Sequence, residues 1–356
     1  DIISVDASGS VSPEELIGWP MQTDFVRGML SQLDGSITYT ANLNLQQNIT
    51  DESNHLLIKT DLVGGSLNLP EPFAKTAANS YPLAIDLSFG VGAKNVSGTF
   101  GPQLLFDFVL GEQGVDNGIV FLGDNSVDLE NLMAADTEGI AILGELEQFE
   151  FEDWYNLLDR LNSTSSSSGG FNEQIAFADL AIGTLEMYQQ KLGEVDVHLD
   201  GDATKRSWLV ALTGEGINGN LSVPWDSDEY LQIDLDYIRL PGSEEELDEL
   251  TQGALETDIA EFEEEEEIDV LAAVDPRALP RMKMDTDDFS IGENSFGSWK
   301  FTLDPFDNGA ALSDLIVDFR GLRVGLDDYR VDEEGVRLIP HLSWLYDGSE
   351  HHSELT

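Results

Sequence analysis

The chain has 356 residues, with 69 acidic against 17 basic side chains and a formal net charge of −52. That balance excludes nucleic acid as a partner, since phosphate binding needs clustered Lys and Arg, and argues against electrostatic docking on an anionic membrane surface. Cysteine is absent, which removes disulfides and thiolate metal sites, and no apolar run reaches the length of a membrane span.

Residues 2–11 read as a strand. Ser12 and Pro13 then make a helix start, a capping side chain followed by a residue with φ already set, so short helices are expected over Glu14–Ile17 and Phe25–Leu33. From Asp34 the period changes to two. Ile37, Tyr39, Ala41, Leu43 and Leu45 point one way and Thr38, Thr40, Asn42 and Asn44 the other, the pattern of a strand with one buried and one wet face. Leu56, Ile58 and Leu62 continue it. A Gly-Gly break and LPEPFAK follow; Pro70 and Pro72 fix two φ angles and remove two donors, so this stretch is expected to run extended and unpaired. Leu83, Ile85, Leu87 and Phe89 alternate next, then Leu104, Phe106, Phe108 and Leu110, with further short candidates at Ile119–Phe121 and Ile140–Leu146. Gly, Asn and Asp punctuate these runs at hairpin spacing.

Phe151, Trp154, Tyr155, Leu158 and Leu161 keep the spacing of an amphipathic helix of about three turns. A Ser/Gly linker follows. A second β block has Val195, Val197 and Leu199, then Trp208, Val210 and Leu212, then Leu231, Ile233, Leu235 and Tyr237. Between Ser243 and Asp269 lie 14 Asp or Glu residues, a solvated insert by composition. The last block has Met282, Met284 and Thr286, then Trp299, Phe301 and Leu303, then Leu315, Val317 and Phe319. The chain therefore divides into a first β segment with short helices (1–161), a linker (162–170), a second β segment (171–242), the acidic insert (243–274) and a third β segment (275–356). An internal echo runs through it: DLAIG at Asp179–Gly183 with LGEVDVHLD at Leu192–Asp200 resembles DFSIG at Asp288–Gly292 with FGSWKFTLD at Phe296–Asp304. A repeated strand–turn–strand unit fits a growing sheet.

No motif selects a reaction. Gly214-Glu-Gly216-Ile-Asn-Gly219 has the form GxGxxG, but a strand-like segment follows it where nucleotide binding requires a helix, so a hairpin turn is expected. Asp226/Asp228, Asp234/Asp236 and Asp285/Asp287 offer hard oxygen pairs without the Gly and distal Glu of a calcium loop, and read as solvated strand faces. The five histidines have no zinc spacing, and no nucleophile elbow or P-loop is present. The expectation is a protein that is not an enzyme and needs no cofactor or metal.

What remains is a one-sided apolar face, for which two architectures stay open. One is a β-sandwich with a closed dry core, a structural or adhesive envelope protein that binds calcium. The other is a mostly β fold in which a long curved antiparallel sheet, with a few short helices, leaves its apolar face open as a groove. Hydrocarbon burial at ~0.8 kcal/mol per CH₂ makes such a groove a solvent for a lipid tail. Its lining would be Ile37, Tyr39, Leu43, Leu45, Ile85, Leu87, Phe89, Phe106, Phe108, Val197, Leu199, Val210, Leu212, Ile233, Leu235, Phe301, Leu303, Val317 and Phe319.

The motif Thr60-Asp61-Leu62-x-Gly64 with Leu69-Pro70-x-Pro72-Phe73-Ala74-Lys75 and Pro82-Leu83 resembles a segment of the YhdP-type proteins of the AsmA-like superfamily. So do Trp208–Pro224 as a hairpin, LQIDLDYIRLP at Leu231–Pro241, and the series Asp275-Pro276, Leu279-Pro280, Phe296–Phe301, Gly309 and Arg320–Leu322, in the family's order over essentially the whole chain. The resemblance implies a periplasmic β-groove, part of an inner-membrane-anchored protein of a Gram-negative bacterium, in which phospholipid passes toward the outer membrane. Its implied partners are phospholipid acyl chains, the remaining parts of a longer chain that carries the anchor, and envelope proteins of the two membranes.

Overall fold

The computed structural model describes residues 2–18, 24–46, 54–90, 94–111, 115–123, 129, 138–163, 174–202, 204–226, 228–241, 274–325, 342–346 and 351–355. The linker at 164–170 and nearly all of the acidic insert lie outside them. Among these residues, strands dominate: 21 belong to one hydrogen-bonded sheet and two more form a small ribbon. The chain separates into two compact units, Asp1–Leu146 with Asp153–Leu180, and Glu147–Glu152 with Ala181–Thr356.

The first unit opens with β1 (Ile2–Val11), α1 (Pro13–Ile17), α2 (Asp24–Leu30), β2 (Leu33–Gly35) and β3 (Ile37–Gln46). The expected start of α1 is present as a capping box: Glu15 N–H donates to Ser12 Oγ at 3.4 Å and Ser12 N–H to Glu15 Oε2 at 2.9 Å. Helix α2 ends before Leu33, because Leu33 is taken into β2 and pairs with Leu67. There follow β4 (Asn54–Thr60), β5 (Gly65–Leu67), β6 (Leu83–Phe89), β7 (Lys94–Phe100), β8 (Leu104–Leu110), β9 (Val115–Leu122), β10 (Gly139–Glu150), α3 (Phe151–Ser163) and β11 (Ile175–Met187), the last three contributing residues to both units. Strands β1, β3, β4, β6, β7, β8 and β9 pair in that order, all antiparallel.

Two expectations change here. The sheet is mixed rather than antiparallel throughout, because β9 and β10 run parallel. LPEPFAK is not unpaired either: Leu67 and Lys75 exchange N–H···O bonds of 2.8 and 3.1 Å around a cis Glu71–Pro72 bond. The loop folds back because Phe73 is drawn inward. It is 6% exposed and meets Trp154 of α3 edge-on at 5.8 Å and Phe100 at 6.4 Å. On α3 the deeply buried positions are Leu157 and Leu161. Leu157 was not on the expected stripe, yet burying it stabilises the unit by about 2 kcal/mol.

The second unit holds β12 (Gln190–Lys191), β13 (Val195–Asp202), β14 (Ser207–Gly214), β15 (Ile217–Pro224), β16 (Leu231–Leu240), β17 (Met282–Ile291), β18 (Asn294–Ser295), β19 (Ser298–Phe306), β20 (Gly309–Phe319), β21 (Leu322–Val324), β22 (Leu342–Tyr346) and β23 (His351–Leu355). Strands β13 to β16 form an antiparallel meander, and the GxGxxG stretch is the β14–β15 turn. Strand β17 then lies parallel to β16, a geometry that needs a long crossover and finds it in the acidic connection. Antiparallel pairing resumes through β19, β20, β22 and β23. Outside the crossover, Arg281 Nε donates to Asp304 at 2.8 Å, Tyr230 Oη donates to the same carboxylate at 2.8 Å, and the guanidinium covers the Tyr230 ring at 4.2 Å. This cluster ties β17 and β19 to the start of β16. The bond to Asp304 also holds the Tyr230 phenol above its ordinary value.

Candidate functional site

Cross-strand partners in a ladder point to the same face, so the register fixes which side chains lie together. In the first unit Val5, Leu43, Leu56, Leu87, Val96 and Phe108 are successive partners across β1, β3, β4, β6, β7 and β8. The neighbouring row is Ala7, Ala41, Ile58, Ile85, Gly98, Phe106, Val120 and Ile142. Ile37, Tyr39, Leu45 and Phe89 share this face. All the lining positions expected in this unit therefore lie on one face. Leu56, Ile58, Val96, Val120 and Ile142 join them, several on strands whose alternation in the sequence is too short to read.

Phe106 and Phe108 stack at 5.5 Å between centroids, and glycines on the adjoining strands make room for them. A Cβ on Gly98 would lie 2.7 Å from the Phe106 ring, and one on Gly118 would lie 2.3 Å from Phe108. Most of this face is neither buried nor fully exposed. Ile37, at 7%, is buried beside the α1 end of the sheet, and Leu122 and Ile140 are buried on β9 and β10.

The opposite face is wet over β1, β3, β4 and β6. Asn42 Nδ2 donates to Asp6 Oδ1 at 2.7 Å, Asn44 Nδ2 to Asn42 Oδ1 at 2.6 Å, and His55 Nδ1 lies 3.2 Å from Asp86 Oδ1. Two shallow clefts of about 470 and 830 Å³ open beside β1, β3 and β4, and their polar lining (Ser8, Thr40, Asn42, Lys59) belongs to this face. It does not stay wet. Leu105, Ile119 and Ala141, also on it, are buried, as strands beside a parallel pair tend to be on both faces.

At the rim of the first unit, the buried Lys75 ammonium donates to the carbonyls of Leu62 (2.7 Å), Gly65 (2.6 Å) and Thr76 (3.0 Å). Desolvation lowers its pKa, and the nearby Asp61 carboxylate opposes that shift. Burial raises the phenol of Tyr81, six residues further on, whose ring lies 4.6 Å from Phe100. Lys75 is thus a positioning residue for the loop that carries Phe73.

In the second unit Leu199, Val210, Leu221, Ile233, Met284 and Phe301 are successive partners. A second row runs Leu231, Met282, Leu303, Leu312 and Leu342. The lining residues expected here (Val197, Leu199, Val210, Leu212, Ile233, Leu235, Phe301, Leu303, Val317 and Phe319) again share one face. Much of it is buried: Val210, Leu212, Ile233, Leu235 and Leu303 are all below one tenth exposed. At one end Phe289 packs on Phe296 and Trp299, and Phe296 stacks on Phe319 at 6.0 Å.

A long mixed sheet with one continuous apolar face fits a β-groove protein of the AsmA-like group. The family model described as YhdP protein matches residues 2–356, and the chain belongs to the YhdP family. Neither the search of curated proteins nor that of solved structures returned a match. Membership suggests a lipid-transport role in the cell envelope. No helix among the described residues is long and apolar enough to cross a membrane.

Proposed function

We propose that the chain is a segment of a non-enzymatic conduit in which phospholipid acyl chains move along the apolar face while headgroups stay in water, between the inner and outer membranes of a Gram-negative envelope. The observation that carries this reading is the unbroken apolar row across β1 to β8. Side chains at this row remain half-exposed, so acyl chains can serve as the layer packed against them. Each CH₂ laid on it contributes roughly 0.8 kcal/mol, and a tail held only by dispersion and desolvation can slide. The conduit works in the periplasm as part of a longer, inner-membrane-anchored protein, with envelope proteins at either end.

The buried face of the second unit is the observation that favours a second reading of the chain, a structural or adhesive protein with a closed core. Native mass spectrometry with lipid extraction on the purified chain tests both. Phospholipid bound in stoichiometric amounts supports the conduit. A folded, lipid-free chain that takes up none from vesicles contradicts it.

A further inference from the structure

The apolar face of the second unit contains two hydrogen-bond donors with no acceptor among the described residues. Trp208, opposite Val223 on β14, is 6% exposed, and Trp225, at the end of β15, is 8% exposed. Neither indole Nε1–H has a hydrogen-bond partner among the described residues. Trp225 N–H donates to Arg206 O at 2.9 Å, which extends the β14–β15 ladder by one pair. Trp225 therefore shares a face with Val223 and Trp208, one diagonal step away. An indole can only donate, and buried donors are almost always satisfied. Two unsatisfied ones on the same stretch of one face call for an acceptor.

The chemistry of that acceptor is constrained. Nearby on the same face are Val210, Val223 and Leu231, all buried. A water molecule would accept from the indoles but bring two O–H groups of its own, and such water needs two to four polar partners. A charged phosphate would lose its hydration among these side chains. A neutral carbonyl accepts two hydrogen bonds and brings no donor. Just outside, the Arg206 guanidinium lies over the Trp225 ring at 5.5 Å, with Lys205 next to it in sequence and exposed. A positive charge thus sits where the apolar face meets water.

Resting on the conduit reading, we propose that Trp208 and Trp225 form a subsite for the ester carbonyls of a diacyl glycerophospholipid, with the phosphate toward Arg206 and the tails along Val210, Val223 and Leu231. The site holds a lipid at a fixed depth by its glycerol backbone and discriminates acyl esters from chains of the same length without carbonyls.

The test compares the purified, delipidated chain for binding of a diacyl phosphatidylethanolamine and of its di-O-alkyl ether analogue, which differ only in the two carbonyls. The wild-type chain should prefer the ester by about tenfold, the product of two neutral hydrogen bonds. Trp208→Phe with Trp225→Phe, which keeps an aromatic ring at each position and removes both N–H groups, should bind the two lipids equally. The wild-type comparison needs no variant and so stands even if the double substitution fails to fold. Binding of both lipids without preference overturns the subsite and leaves the conduit intact. Binding of neither overturns the conduit itself.

Discussion

The Lys75 ammonium donates to the backbone carbonyl of Leu62 at 2.7 Å, from a side chain that is almost fully buried. Leu62 has φ +53, a conformation that is costly for a branched side chain. The ammonium fixes that carbonyl together with those of Gly65 and Thr76. Lys75→Met keeps the length of the side chain and removes a donor that three carbonyls share, of which that of Leu62 still accepts from Gly65 N–H at 3.2 Å. It should destabilise the first unit by about 3 kcal/mol in urea unfolding, the cost of one to three unpaired buried groups. Lys75→Arg should not restore it, because a planar fork cannot reach three divergent carbonyls. An unchanged midpoint for Lys75→Met would show the contact to be incidental.

A second expectation concerns the internal echo. Leu185 N–H donates to Gly193 O at 3.0 Å and Leu192 N–H to Leu185 O at 2.8 Å; Phe289 N–H donates to Gly297 O at 2.8 Å and Phe296 N–H to Phe289 O at 2.7 Å. The two glycines have φ of +72 and +73. Gly193→Ala and Gly297→Ala should each cost at least the left-handed penalty of about 1 kcal/mol. Gly297→Ala should cost clearly more than that, since its Cβ would lie 2.0 Å from Asp318 O. A melting temperature for Gly297→Ala equal to that of the wild type would contradict this.

The echo also marks how far the sequence could be read. Its residues are local, and the same turn needs the same glycine, so spacing alone revealed it. Alternation on β3, β6 and β8 likewise placed Leu43, Leu87 and Phe108 correctly on one face, because a strand's period is its geometry. The parallel pairing of β9 with β10 and β16 with β17 was not legible, since it depends on which distant strand returns to which edge. The short strand Lys94–Phe100 was missed because Gly98 interrupts its alternation. The place of Lys75 was not legible, because the fold brings three distant carbonyls to it. Trp208 was visible, but that its N–H lacks an acceptor depends on its neighbours in space.

Substitutions into the two faces should separate stability from binding. Phe106→Asp sits on the half-exposed face, where the carboxylate keeps some water. It should cost about 2 kcal/mol through lost burial and stacking on Phe108, fold, and retain no lipid. Leu235→Asp puts a charge at a site only 3% exposed and should unfold the second unit, at about 4 kcal/mol or more. Circular dichroism with lipid extraction distinguishes the two. A folded Phe106→Asp chain with undiminished lipid would count against the face as the carrier.

Acid sensitivity should appear at Asp275. Arg277 donates to its carboxylate from Nε at 2.8 Å and Nη2 at 2.7 Å, holding Asp275 below the ordinary value of 3.8. The stabilisation from this pair is therefore present above the unfolded pKa and is lost as pH falls through the depressed folded value. Calorimetry of Arg277→Gln against wild type should show a small gap in melting temperature at pH 7. The gap should narrow below about pH 4 to what the Arg277–Tyr346 contact at 4.9 Å retains. A gap independent of pH would assign the whole effect to that contact.

The most direct test of the central claim compares adjacent residues of one strand. Phe106 and Asp107 on β8 point to opposite faces of the sheet. A benzophenone amino acid would be placed at each position in turn, in the protein expressed in a Gram-negative bacterium, irradiated, and analysed for covalent lipid by mass spectrometry. The account predicts phospholipid adducts at position 106 and none at 107. Adducts at both positions, or at neither in a folded protein, would contradict the assignment of this face as the path for acyl chains.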